Sequence, residues 1–229
     1  TLYVFGIDLV AELQTTQWLL YVAAATILLA ALVALSQDNL KARLAYSTIS
    51  QLGYIVLGTF LATSSGVIGG TLHMIMHAFG KITLFFCAGA IFVATGKKNI
   101  SEMTGIGRRM PVTMTAFFIG ALSIIGMPPC GGFLSKWYLV LGALEADKIA
   151  ILVVLLFSSL LNAGYFMPVV YRAFFCPPEE ALFEARVQEA PLCCVVPLVI
   201  TAVISIILLF YPQPFMNLAA MAAAKFTGL

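Results

Sequence analysis

Six stretches of this chain are apolar for long enough to cross a lipid bilayer, and this limits the fold more than any other feature. A spanning helix needs roughly 20 predominantly apolar residues. The stretches run approximately Trp18–Ser36, Leu44–Thr63, Gly70–Thr95, Pro111–Leu144, Ile149–Phe175 and Leu192–Phe210. Composition agrees, with 62% hydrophobic and 10% charged residues. A soluble domain carries about 25% charged residues, so this chain has too little polar surface to meet water all round. The expected class is an all-α polytopic membrane protein of about six transmembrane helices.

The fourth stretch is too long for one straight crossing. About 34 residues at ~1.5 Å each would reach ~50 Å, against a hydrocarbon core of ~30 Å. Its middle reads Gly126-Met127-Pro128-Pro129-Cys130-Gly131-Gly132. The prolines remove backbone donors and the glycines weaken helical preference. Gly126, Pro128, Pro129, Gly131 and Gly132 therefore predict a discontinuous helix, two halves joined by an unwound stretch. A plain proline kink is the alternative. Non-helical backbone at membrane depth belongs where protein or a wet cavity surrounds it, and ion sites use such breaks.

Lys and Arg in the connections set the expected orientation. With six spans, one side collects Lys41, Arg43, Lys97, Lys98, Arg108, Arg109, Arg172 and Arg186, and the other only Lys148 and Lys225. The basic side is expected to be cytoplasmic, with both ends on the outer side. The polar stretch from Cys176 to Ala190 reads as a cytoplasmic connector, with a short amphipathic helix as an alternative. Asp38, Lys41 and Arg43 read as capping and topology residues. The chain begins at Thr1 without a charged n-region, short apolar core and cleavage site. That start is expected of the interior of a longer protein or of a processed product.

The informative residues are ionisable groups inside the spans. Such groups are expensive in hydrocarbon and face the bundle interior or a wet cavity. Lys81 falls near the middle of the third span. His73, His77 and Lys81 are spaced i, i+4, i+8, which puts them on one helix face. A histidine exchanges protons near neutral pH, so the three together make a candidate proton ladder. For either histidine alone, a hydrogen bond to a neighbouring helix is an equally good reading. Lys136 is the second buried cation, in the first turn or so after the break. Carbonyls freed by the break, Ser135 or water can offset its burial. In the second span, Ser47, Gln51 and Tyr54 share a face and are candidates for ordering water near Lys81, or for bonding between helices.

Other chemistries lack their residues. There is no phosphate-binding loop, dinucleotide fingerprint, H-E-x-x-H or G-x-S-x-G. No catalytic chemistry is assigned to this chain, and no cofactor or metal is implied. Cys87, Cys130, Cys176, Cys193 and Cys194 form no C-x-x-C pair and read as packing residues. A formal charge of +2 without a large basic cluster gives no reason to expect nucleic acid.

Three stretches carry a resemblance when taken together. They are Asp38-Asn39-Leu40-Lys41-Ala42-Arg43-Leu44-Ala45-Tyr46-Ser47-Thr48-Ile49-Ser50-Gln51-Leu52-Gly53-Tyr54, then His73 to Phe86, then Gly120 to Leu139 with Met127-Pro128-Pro129-Cys130-Gly131-Gly132-Phe133-Leu134-Ser135-Lys136. They resemble the antiporter-like proton-channel family, across nearly the whole chain. That family includes the large membrane subunits of respiratory complex I, the D-type subunit of Mrp cation/proton antiporters, and equivalents in membrane-bound hydrogenases. Its members look like two inverted five-helix repeats with flanking helices. This chain resembles the second repeat plus the final helix.

The resemblance implies that Lys81 is the lysine of the second half-channel, with His73 and His77 beside it. It implies that Lys136 is the ionisable residue of the broken helix near the outer exit. The family's first repeat is absent, so the chain is expected to be a fragment or to have that half supplied by another polypeptide. The expected division is residues 1–176 as the repeat, 177–190 as the connector, and 191–229 as the final span and outer tail.

The expected function is a proton-translocating subunit of a larger ion-translocating complex, in an energy-converting bacterial or archaeal plasma membrane. Its partners would be other membrane subunits, lipid and protons, with sodium as an open second cation. The Ser135-Lys136-Trp137-Tyr138 stretch tilts the reading towards the D-type antiporter subunit. A complex I or hydrogenase subunit is the close alternative. A non-conducting structural subunit, and a carrier of an organic anion bound by the two lysines, are alternatives of other classes.

Overall fold

In a computed structural model of the chain, every regular element among the described residues, 10, 12, 14–177 and 187–227, is helical. The helices are α1 (Gln14–Ser36), α2 (Leu40–Phe60), α3 (Ser64–Thr95), α4 (Ile106–Arg109), α5 (Pro111–Ile125), α6 (Gly132–Glu145), α7 (Ile149–Phe175), α8 (Leu192–Phe210) and α9 (Gln213–Thr227). Among the described residues, Thr16–Ser36, Ser64–Thr95, Ile149–Phe175 and Leu192–Phe210 are long and apolar enough to cross a membrane. α2 has 21 residues, enough for a crossing, but one of its faces is polar. α5 and α6 have 15 and 14 residues. Each half reaches only ~20 Å, so the two cross together as one broken helix.

The expected break is present. α5 ends at Ile125 with Gly126 in the left-handed region, φ 84°. A side chain there would be strained, and its Cβ would lie 2.6 Å from Lys136 Cδ. α6 restarts at Gly132, where a Cβ would fall 1.8 Å from the Ser123 carbonyl oxygen. Only glycine lets the second half pack so closely on the end of the first. Gly131 N donates to Ser205 O of α8 at 2.9 Å, which ties the unwound stretch into the bundle.

α3 is the central helix, packed against α2, α5, α6, α8 and α9. It starts at Ser64, six residues before the expected Gly70. Thr63 caps it by accepting from Gly66 N at 3.1 Å. Glycines 66, 69 and 70 fall in its first two turns. They are helical because α2 and α6 press on them; a Cβ on Gly69 would lie 2.7 Å from Leu139 N. The expected outer tail is also more than a tail. Residues 213–227 form α9, which returns to pack on α3.

The connections carrying the basic residues meet at one end. Leu40 N donates to Lys98 O at 3.0 Å and Ile100 N to Asp38 O at 2.8 Å. The Asp38 carboxylate accepts from Ser101 N and Oγ at 3.0 and 2.7 Å. Asn39 caps α2, accepting from Ala42 N at 3.1 Å. Arg43 exceeds its expected capping role. Its guanidinium reaches Gln37 O at 2.6 Å, at the end of α1, and Tyr165 O of α7 at 2.8 Å.

Of the connector, residues 178–186 lie outside the described residues, and with them Arg186 and the expected amphipathic helix. Its end is tied down. Glu189 accepts from Val112 N at 2.7 Å and from Thr113 Oγ1 at 2.5 Å, capping α5. This satisfies N–H groups that the start of any helix leaves open, and a carboxylate suits that helix end.

Candidate functional site

The two lysines are interior residues. Lys81 is 5% exposed and Lys136 8%, so neither amine snorkels to a surface. Lys81 sits near the middle of α3, and its Nζ donates to Leu44 O of α2 at 3.0 Å. Thr48 Oγ1 already donates to that carbonyl at 2.9 Å. The face of Phe166 lies 5.6 Å from the same amine. Lys136 Nζ donates to Ile125 O at 3.0 Å and to Ser159 Oγ at 3.1 Å. Ile125 is the last residue of α5, so its carbonyl is one that the break sets free. The Tyr54 ring lies 4.7 Å from this second amine. Among the described residues, neither lysine is paired with a carboxylate.

The histidines share one face of α3, as the spacing predicts. His73 and His77 stack at 5.8 Å between centroids, and Tyr54 stacks on His73 at 5.1 Å. His73 Nδ1 is 3.0 Å from Ser135 Oγ. Both Nε2 atoms are buried without a partner. Of the groups named to offset the burial of Lys136, the freed Ile125 carbonyl does so, while Ser135 lies against His73. Tyr54, a candidate for ordering water near Lys81 or for bonding between helices, takes the second role through Ser158, with its ring beside Lys136 and His73. It closes a cavity of about 300 Å³ together with Lys136, Gly126 and Ser159.

Ser47 and Gln51 face α7, whose contribution the sequence reading missed. Ser47 Oγ is 2.7 Å from Tyr165 Oη, and Tyr165 Oη donates to Asn162 Oδ1 at 2.6 Å. Tyr54 Oη is 2.5 Å from Ser158 Oγ. Ser158, Asn162 and Tyr165 are spaced i, i+4, i+7, a polar stripe visible in the sequence. It escaped notice because none of the three is charged at neutral pH. Gln51 is fully buried, and neither of its amide atoms has a partner; the same holds for Asn162 Nδ2. An unsatisfied buried polar group costs about 1–3 kcal/mol, so several together mark a place that needs water.

Chemically, the site is two buried amines, two imidazoles and a set of serine, threonine and tyrosine hydroxyl groups within one bundle interior. Amines, imidazoles and hydroxyl groups can take up, hold and pass protons.

Comparison with known proteins gives a consistent answer. Residues 2–162 match the family described as NADH:quinone oxidoreductase/Mrp antiporter, TM. The NADH-quinone oxidoreductase subunit N of Desulforudis audaxviator strain MP104C is 41% identical over 214 residues, covering 89% of this chain and 43% of that protein. A chain in the structure of the Mrp complex from Dietzia sp. DQ12-45-1b superposes with a TM-score of 0.84 at 26% identity, covering 93% of this chain and 48% of that one. A chain of the membrane-bound sulfane sulfur reductase, an archaeal respiratory membrane complex, superposes with a TM-score of 0.83 at 30% identity, covering 93% and 42%. This chain therefore spans less than half the length of the relatives it matches.

Proposed function

Since the chain belongs to the NADH:quinone oxidoreductase/Mrp antiporter transmembrane family, we propose that it is a proton-translocating membrane subunit of a larger ion-translocating complex. One observation carries the reading. Lys81 and Lys136 are buried in one bundle, bound only to carbonyl and hydroxyl oxygens and aromatic faces, with stacked histidines between them. An amine without a fixed counter-ion changes charge without breaking an ion pair. A structural subunit that does not conduct would be better served by paired cations in a dry shell.

In this reading Lys81 is the central proton-holding group. His73 and His77 relay protons along α3, and Lys136 is the exit group beside the break. Ser47, Gln51, Tyr54 and Ser135 line the way. A charge change in a neighbouring subunit would shift the proton affinity of Lys81, and the proton would move through water and hydroxyls. The basic end faces the cytoplasm of a bacterial or archaeal plasma membrane, and both ends of the chain lie outside. Residues 1–176 act as the second repeat, 177–190 as the connector and 191–229 as the final span with α9.

The subunit N relative supports the respiratory type over the D-type subunit that the Ser135–Tyr138 stretch suggested. The D-type reading stays as the second one because of the fold match to an Mrp complex. The test is proton transport by the native complex in sealed proteoliposomes, wild type against Lys81→Gln, with assembly checked in both. The variant is expected to assemble and to lose coupled transport. Undiminished transport by an assembled Lys81→Gln complex would refute the reading.

A further inference from the structure

The stripe on α7 has a geometry that the histidine ladder does not explain. Two tyrosine–serine pairs bridge α2 and α7, Ser47 with Tyr165 and Tyr54 with Ser158. The helices run antiparallel, so these pairs sit at the two ends of one seam. In each pair a tyrosine from one helix reaches a serine on the other, which keeps the helices a tyrosine's length apart. Between the pairs, one turn from each, lie Gln51 on α2 and Asn162 on α7. Both are 0% exposed, and Gln51 Nε2, Gln51 Oε1 and Asn162 Nδ2 have no partner.

The proton directions in the seam are fixed by counting donors. Tyr165 has one hydroxyl proton and gives it to Asn162 Oδ1, so Ser47 is the donor to Tyr165. Ser158 gives its proton to Leu155 O at 3.0 Å, so Tyr54 is the donor to Ser158. Both pairs therefore point from α2 to α7. The Tyr54 oxygen keeps a lone pair, and Asn162 Nδ2 keeps a proton to donate. Gln51 offers both kinds of group between them.

The seam also ends on the two lysines. Leu44, whose carbonyl holds Lys81, lies one turn from Ser47 on α2. Ser159, which holds Lys136, adjoins Ser158 on α7.

We propose that Gln51 and Asn162 are positioning residues that hold bridging water in this gap, making the α2–α7 seam a second proton route between Lys81 and Lys136. An amide does not relay a proton readily, so the two side chains orient the water while water and hydroxyl oxygens carry the charge. In one passage the Lys81 ammonium gives a proton to water in the seam, the bridging water passes one along, and the Lys136 amine takes one up from water. No electron moves. This inference rests on the proton-translocating reading but adds a route that the histidines do not provide.

The test uses the native complex in sealed proteoliposomes, in wild type and in a His73→Phe/His77→Phe background. Transport is expected to fall in the histidine-free background, since one route is lost, but not to vanish, since the seam still carries protons. There, Gln51→Met is expected to lower the rate per assembled complex about tenfold, the scale of one lost hydrogen-bonding group. It is also expected to raise the ratio of rates in H2O and D2O, which a merely structural role would not move. Asn162→Ser keeps a group that can hold water and is expected to retain most of the rate. Should Gln51→Met fail to assemble, Tyr165→Phe interrupts the seam while keeping the ring.

The inference is overturned by loss of all transport in the histidine-free background. It is equally overturned by an unchanged rate and isotope ratio in Gln51→Met or Tyr165→Phe. Lys81→Gln in the same series reports on the underlying function, so a failure there is separable from a failure of the second route.

Discussion

Lys81 and Lys136 are buried to nearly the same degree but are held in different ways. Lys81 projects from an unbroken helix and shares a carbonyl that Thr48 also uses. Lys136 has an acceptor made for it, the Ile125 carbonyl released where α5 stops, and a hydroxyl on α7 besides. The helix break thus supplies the hydrogen-bond acceptor that a buried amine needs. Where the helix is continuous, the amine borrows from a neighbour and leans on an aromatic face. The Lys136 site is fixed by backbone geometry and the Lys81 site by side-chain packing, so the two are expected to respond differently to substitution.

The largest effect is expected from the break itself. Gly132→Val would place a branched side chain on the Ser123 carbonyl, where even a Cβ falls at 1.8 Å. Overpacking of this kind costs upwards of about 1–3 kcal/mol. The yield of assembled complex should fall sharply, whereas Gly89→Ala, where a Cβ meets nothing within 4 Å, should leave it unchanged. A well-assembled Gly132→Val complex would break the claim that backbone geometry fixes the Lys136 site.

Replacing each lysine by methionine sharpens the contrast. In Lys136→Met the Ile125 carbonyl is left without its ammonium, a loss of about 1–3 kcal/mol that should lower the thermal midpoint of the purified complex. In Lys81→Met the Leu44 carbonyl keeps Thr48, and an apolar side chain replaces a buried cation, so the midpoint should hold or rise. Equal changes at both positions would remove the distinction.

Tyr54 divides its contribution between ring and hydroxyl. Tyr54→Phe keeps the ring on Lys136 and His73 and loses the bond to Ser158, at about 1 kcal/mol. Tyr54→Leu also loses the ring contact and should cost more, by up to about 2 kcal/mol if the amine is desolvated. Thermal unfolding of the two variants side by side measures the difference.

The smallest effect is expected far from both lysines. At the basic end the Asn99 backbone N–H, its side chain and the Lys98 N–H hold the Glu102 carboxyl below the usual carboxylate range. Its folded pKa is depressed, so its contribution is present above the unfolded value and is lost as pH falls through the folded one. Glu102→Gln should therefore flatten the acid side of the stability curve slightly and leave proton transport alone.

Much of this was legible in the sequence, for physical reasons. A membrane demands long apolar runs, so the spans could be counted. Prolines and glycines interrupt helices, so the break at Gly126–Gly132 showed. Lysines are rare inside spans, so Lys81 and Lys136 stood out. What stayed hidden depends on partners distant in the chain. Glu189 caps a helix that begins 78 residues earlier. The start of α3 at Ser64, ahead of the expected Gly70, was hidden because α6, which presses on Gly69, is not written nearby. The stripe of Ser158, Asn162 and Tyr165 had the right spacing, but uncharged polar residues in a span are common enough to pass unremarked. For Tyr54 and for the acceptor of Lys136 the sequence left alternatives open, and packing selects the bond to Ser158 and the Ile125 carbonyl.

The central claim is that the two lysines act in series on one proton pathway. Its most direct measurement is proton transport by assembled complexes carrying Lys81→Gln, Lys136→Gln, or both. The account predicts that each single change removes most coupled transport and that the double variant is no worse than Lys81→Gln alone. Normal transport by either assembled single variant would contradict it.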